Sequence, residues 1–413
     1  MVTASFLLAA ALAADPQPTP SASLAPTPKP LVVEPHDSAF SIYLDEDTFQ
    51  MHSTDRDYTL GLQLTFSGSW VTERHFEAPL RFFDRIFHVE NLHAGRLDRG
   101  IVSHSVSFGD SAFTPAKEVL GHTEPIYDDR PYANIFFGLV SRKTFRYHSA
   151  VTSELTAGLL GLRVAQAVQT WIHTHKHPPD TIPGGWSHQI SNGGEPTLRY
   201  RSAFQYLVYP PRVVPRSGRA SPDHAARLGG IVDDEGLDAF ERDSETSGVA
   251  GLTLNGRRRV DVVSDFEGNL GYYSNLGGGL KLRLALPWTH LRSSPFGDRL
   301  AINTTKAVQS PKIDAAAKRP FEFYIWGGVG GNVWLYNALF EGQFRTSDAS
   351  VGFSPQPPSR LTLNRLTYDA QVGLTLSASR FTFAYVYSLH GHLYEGPSPR
   401  GHSWGGLYAT IAR

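Results

Sequence analysis

Tyr58-Thr59-Leu60-Gly61-Leu62-Gln63-Leu64-Thr65-Phe66-Ser67 is the stretch that decides the fold. Tyr58, Leu60, Leu62, Leu64 and Phe66 fall on one parity, and Thr59, Gly61, Gln63, Thr65 and Ser67 on the other. Successive side chains of a strand point to opposite faces, so this is a ribbon with one apolar and one polar face. The same rhythm returns in Leu198, Tyr200, Phe204, Tyr206 and Val208, set against Arg199, Arg201, Ala203, Gln205 and Leu207. It returns again in Leu280, Leu282, Leu284 and Leu286 against Lys281, Arg283 and Ala285. Leu366, Tyr368, Ala370, Val372, Leu374 and Leu376 alternate with Thr367, Asp369, Gln371, Gly373 and Thr375, and Phe381, Phe383, Tyr385, Tyr387 and Leu389 follow at once.

Several of these ribbons reach about ten residues, the length a tilted strand needs to cross a bilayer, whereas soluble strands cluster near five or six. Arg, Lys, Gln and Asp on the second parity would be costly unpaired in a dry sandwich core and are at home in the wet interior of an outer-membrane barrel. The pattern predicts an all-β chain, an antiparallel transmembrane β-barrel of about twelve strands, near 39–47, 57–70, 100–109, 132–145, 147–161, 196–209, 257–269, 276–288, 319–332, 363–378, 380–392 and 403–412. An even count suits closure. The competing architecture is a large soluble β-sandwich or propeller. Tyr58, Trp70, Trp288 and Trp404 are read as girdle aromatics at the bilayer boundaries.

Composition narrows the classes further. The 413 residues carry 38 Lys and Arg against 39 Asp and Glu, a net charge of −1, so no basic excess points to nucleic acid. Cys is absent, which excludes a disulfide framework and thiolate metal sites. Mean hydropathy is −0.25, and the longest apolar run, 6–14, is far short of the ~20 residues of a spanning helix. That run ends at Ala11-Leu12-Ala13 and reads as a secretory signal peptide over residues 1–13, although no Lys or Arg precedes it. Residues 14–37 are Pro-rich and read as an extended linker, leaving 38–413 for a monomeric barrel. Two stretches interrupt the rhythm: 71–98, whose Phe82-Phe83-Asp84-Arg85-Ile86-Phe87 has helical spacing and reads as a short surface helix, and 210–256, which reads as a long mobile loop.

Three polar clusters are candidates for chemistry. Leu44-Asp45-Glu46-Asp47 and Asp55-Arg56-Asp57-Tyr58-Thr59 bring carboxylates and a hydroxyl to a hairpin, oxygen ligands suited to Ca²⁺ or Mg²⁺; a solvated acidic tip is the plain alternative. In the second cluster, Gln166, Gln169 and His173 share a helix face, whereas His173, His175 and His177 would share a face of an extended segment. The imidazoles suit Zn²⁺, a general base titrating near about 6.5, or a plain polar loop. The third is His188-Gln189-Ile190-Ser191-Asn192, close to the His-x-Ser-Asn pattern of outer-membrane serine lipases; the extra residue puts His188 and Ser191 on opposite faces of a strand.

Taken in order, these stretches resemble the lipid A 3′-O-deacylases of Gram-negative outer membranes. The matching residues are Ser41 to Asp47, Asp55 to Leu62, Asp128-Asp129-Arg130-Pro131-Tyr132-Ala133, Gln166 to His173, Gly185 to Pro196 and Asn332 to Gly342, spread over most of 39–413. The resemblance implies a twelve-stranded barrel in the cell outer membrane. It implies Ca²⁺-dependent hydrolysis of the ester that holds the 3′ acyloxyacyl chain of lipid A, with lipopolysaccharide and outer-membrane lipids as partners. By position it implies His173 as the catalytic base, with Asp47 and Thr59 in the catalytic group. It also implies Asp47, Glu46 and, more loosely, Asp180 as metal ligands, and Lys117 as a contact to the phosphorylated sugar. Glu46 stands where the family usually has Asn. A regular strand would aim Asp45 and Asp47 one way and Glu46 the other, so one ion could collect them all only at a bulge. The alternatives in function are a non-catalytic barrel, either pore or lipid-binding scaffold, and a serine-type lipase.

Overall fold

The computed structural model describes residues 38–49, 60–94, 101–116, 121–124, 126–146, 149–175, 182–209, 259–289, 291, 293–296, 321–344, 361–396 and 399–412. The expected signal peptide, the linker, the whole 210–256 loop and Tyr58 lie outside them.

Alternation becomes architecture directly. Fourteen strands occur in chain order among the described residues: β1 (Ala39–Glu46), β2 (Leu60–Ser67), β3 (Ile101–Phe113), β4 (Ala133–Phe145), β5 (Ser149–Leu160), β6 (Glu195–Tyr209), β7 (Val260–Gly271), β8 (Tyr273–Ala285), β9 (Glu322–Asn337), β10 (Thr362–Leu363), β11 (Leu366–Ala378), β12 (Phe381–His390), β13 (Tyr394–Glu395) and β14 (His402–Ala412). Twelve of them pair antiparallel around one closed barrel, and β14 returns to β1 with Ala412 beside Ala39 and Gly405 beside Glu46. Closure leaves no free edge. The tenth expected strand, 363–378, is cut short because β10 peels away to pair with β13, its exit fixed where Asn364 accepts from the Leu366 amide at 3.2 Å.

Parity decides which face meets what. Leu62, Phe66, Leu280, Leu282, Leu284, Val372, Leu374, Phe381 and Phe383 are exposed on the outer wall. The opposite parity turns into the lumen, where Arg201 donates to Glu267 at 2.7 and 3.0 Å and lies 3.2 Å from Glu154, and Arg283 pairs with Asp261. Burying such charges is tolerable only because each has a counter-charge or a hydrogen-bond partner. One mouth is filled by Phe113, Phe137, Trp334, Phe340, Leu363, Tyr394 and Trp404. Trp404 therefore faces inward, stacked on His402 at 5.1 Å, and not toward a lipid girdle as its sequence position suggested.

The 71–98 segment gives three helices instead of one: α1 (Trp70–Glu73), α2 (Ala78–Ile86) and α3 (Val89–Ala94). His75 and His88 take positive φ between them and break the run. Leu80 and Val89 pack on Val151, Leu155 and Tyr200. These three share the parity of exposed Phe204 and oppose that of Glu154 and Arg201, so the helices lie on the outside of the wall.

Candidate functional site

The acidic end of β1 does not bulge. The strand stops at Glu46, and Asp47–Phe49 form a 3₁₀ turn, so Asp47 escapes the alternation that would aim it with Asp45 into the lumen. The turn folds over the outer face of β14. Gly405 lies beneath it, where a Cβ would sit 2.3 Å from the Phe49 carbonyl oxygen, and the same oxygen accepts from the Tyr385 hydroxyl at 2.8 Å. Asp47 is 1 % exposed and Glu46 partly so.

His173 sits in the last turn of α4 (Val164–His175). Its buried stripe is Ala165, Gln169 and His173, at i, i+4 and i+8. Ala165 packs with Ala112, Tyr132 and Trp186. Ala112 is on the outward parity of β3, that of exposed Phe108, so α4 also lies against the outside of the wall. Gln169 accepts from the Trp186 indole N–H at 2.7 Å. Gly161, at φ +71°, lets the Ser191 carbonyl come within 2.1 Å of where a Cβ would be, which seats the 182–194 loop beside the helix.

Buried polar atoms normally find partners, and this seam departs from that rule. His173 is 2 % exposed and its Nδ1 has no hydrogen-bond partner; neither has Gln169 Nε2. Asn134, 0 % exposed beside Ala112 in register, leaves both its Oδ1 and Nδ2 open, and Asp110, one outward step further along β3, leaves Oδ1 open. Asn134 and Asp110 escaped the sequence reading. Their signal is a polar residue on the outward parity, with Phe136 and Phe108 as the outward neighbours.

Helical backbone settles the histidine alternatives. At about 100° per residue, His173 and His175 diverge: His175 is exposed and its Nδ1 bonds the Trp171 carbonyl at 2.8 Å. The extended three-histidine face is therefore not formed, and His177 lies outside the described residues. The serine-lipase arrangement is not formed either. Ser191 donates to Glu195 at 2.5 Å and Asn192 to the Ser187 carbonyl at 2.8 Å, and Ser191 makes no bond to His188. Thr59, Lys117 and Asp180 also lie outside the described residues. His173 makes no hydrogen bond to Glu46 or Asp47, and among the described residues no group of three or more His, Asp or Glu side chains is placed to hold a metal ion. What the geometry does share is a side: the Asp47 turn and the His173 helix both lie on the outward face of the wall.

No curated protein sequence matches this chain. The model of a family described as "Outer membrane protein LpxR" matches residues 1–232 and 245–412. Among solved structures, LpxR from Salmonella typhimurium is similar over 90 % of this chain and 99 % of its own, at 13 % identity and a TM-score of 0.56, a likeness of fold. The β domain of the Bordetella autotransporter BrkA covers 91 % of this chain and 98 % of its own at 6 % identity and a TM-score of 0.34, and carries no argument. A family match over nearly the whole chain, on a closed barrel of twelve strands, means that the protein belongs to the LpxR family, the outer-membrane lipid A 3′-O-deacylase family that its motifs resemble.

Proposed function

We propose that this protein is an outer-membrane esterase that removes the 3′-linked acyloxyacyl chain of lipid A, with His173 as general base. The observation that carries the reading is the open Nδ1 of a nearly buried His173 on the outer side of the wall, the side from which a lipid ester would arrive. In the reaction, the imidazole takes a proton from water, the water oxygen bonds to the ester carbonyl carbon, and the carbon–oxygen bond to the sugar breaks. The proton then passes from the imidazolium to the departing sugar oxygen. The open Gln169 Nε2, one turn from His173, is available to orient the ester or its oxyanion.

Adjacent carboxylates at Glu46 and Asp47 fit Ca²⁺ by donor chemistry, as hard oxygens with one nearly buried. They are two donors and not a complete shell; Asp180 and Thr59 are the proposed additions, with Lys117 on the phosphorylated sugar. A bound Ca²⁺ would supply positive charge near the carbonyl oxygen. The pore alternative finds little support, because apolar residues fill one mouth. Glu46 in place of the usual Asn is what keeps a non-catalytic scaffold in view.

The test is mass spectrometry of lipid A from a Gram-negative host expressing the wild type or His173→Ala, with and without a Ca²⁺ chelator. The wild type should release the 3′ acyl chains. The variant should lose activity by ~10²–10⁴-fold while keeping heat-modifiable barrel migration. Unchanged lipid A in wild-type cells refutes the proposal, and activity gained only by Glu46→Asn favours the scaffold.

A further inference from the structure

We propose that α1–α3 form a lateral membrane anchor, with Phe82 and Ile86 of α2 seated in the bilayer at the boundary between headgroups and acyl chains. The inference rests on the barrel being embedded in a membrane and not on the esterase reading. Three faces of α2 carry it. Leu80 and Asp84 turn toward the wall and are buried. Phe82 and Ile86, four residues apart, point away from it and are 60 % and 51 % exposed. Arg81 and Arg85 run alongside, exposed and tied to Glu90 at 3.5 and 3.0 Å. An apolar ridge flanked by charged side chains that can reach water is the pattern of a helix lying in a membrane interface.

Position strengthens the case. The helices follow Ser67, which pairs with Ala39 at the barrel end that also holds Ala412, so they ride low on the outer wall at the end carrying both termini. Around them that wall exposes Phe204, Tyr206 and Val208 of β6, the apolar belt of a membrane barrel. The ridge is continuous with a surface already committed to lipid. Tyr200 fixes the helices in place, its ring 5.9 Å from Phe83 and 4.9 Å from Phe87.

The chain has no Cys, so single labels are clean. Phe82→Cys and Ile86→Cys, each carrying a nitroxide, would be reconstituted as the full protein in phosphatidylethanolamine–phosphatidylglycerol vesicles. Leu374→Cys on the bare wall and Glu395→Cys, at the exposed residue of β13, serve as lipid and water references. Collision rates with oxygen and with an aqueous nickel chelate are compared. The anchor requires oxygen-to-nickel ratios at 82 and 86 that lie between those at 374 and 395 and several-fold above that at 395. Ratios matching 395 place the ridge in water and overturn the proposal. Spin–spin broadening shows a second copy there instead, and loss of both collision rates shows a protein cover; either also overturns it.

Discussion

Two helical covers lie on the outward face of the same wall and differ in how far the polar groups beneath them are tied to one another. Beneath α2 and α3 most polar side chains are tied to one another, although Arg142 keeps Nε and Nη1 without a hydrogen bond and faces Asp84 at 3.7 Å. His93 Nδ1 meets the Thr144 hydroxyl at 2.7 Å and Nε2 meets Ser153 at 3.0 Å. Ser153 donates to Asp84 at 3.0 Å, as does Tyr200 at 2.9 Å, and Glu77 pairs with His104 at 2.7 Å. Because the Ser153 proton goes to Asp84, its oxygen accepts from Nε2–H, and Nδ1 is left to accept from Thr144. Beneath α4 the corresponding atoms of His173, Gln169 and Asn134 stay open. An open buried polar atom costs about 1–3 kcal/mol; under α4 that is a cost which the ester proposed above could offset by bonding His173 and Gln169, whereas under α2 and α3 the tied side chains hold the cover to the wall.

The sharpest break in this comparison is Asp84→Ala. It leaves Arg142, 3.7 Å away, without its nearest counter-charge in the covered wall, and should lower unfolding stability by about 3–5 kcal/mol, read as the denaturant midpoint in detergent, with the proposed deacylation unchanged in the folded protein. A polar residue tolerated under a cover should be rejected on bare wall: Leu374→Arg, exposed mid-strand on β11, should cost about 2–4 kcal/mol in a lipid vesicle, and a neutral result there would mean that the wall does not face lipid. Gly405→Ala drives a methyl into the Phe49 carbonyl and should cost about 1–3 kcal/mol. If the proposed deacylation uses Asp47, its larger effect should be loss of that activity as the Asp47 turn shifts, measured against unchanged barrel migration.

The smallest expected effect is on pH. Burial first, then the charges of Arg142, Arg146 and His104, hold His93 well below its ordinary value of 6.5. Its contribution is therefore present above that value and lost as pH falls from there toward the depressed one. Burial pushes the Asp84 carboxyl up, against the Tyr200 and Ser153 hydroxyls and Arg142, so its share runs the other way, present below 3.8 and lost as pH rises through the raised value. The protection of α3 amides, taken relative to their intrinsic exchange rates, should fall from about pH 7 to about pH 5 in the wild type. His93→Gln should flatten that change, and an equal fall in protection in the variant would assign it elsewhere.

Much of this was legible from residue order. The ribbons, their facing and the sum of twelve came from alternation, because lipid and lumen impose opposite requirements on adjacent side chains. The proposed site was legible only by resemblance, and in part. His173 is described where a helix can use it, whereas Thr59, Lys117 and Asp180 fall outside the described residues. Asp110 and Asn134 were visible in principle as polar breaks on outward parity. So were His104, Arg142, Thr144 and Ser153, which share that parity with exposed Phe108, Phe136 and Phe204. Trp404 was misplaced because an aromatic near a strand end is the same letter whether it plugs a mouth or rings a membrane.

Sequence by itself determined the alternation and therefore the barrel, since a period of two is a local property of the backbone. Only the tertiary structure decided which outward polar residues are sheltered by a helix, which buried atoms are satisfied and which are left open, because those facts depend on contacts between segments far apart in the chain.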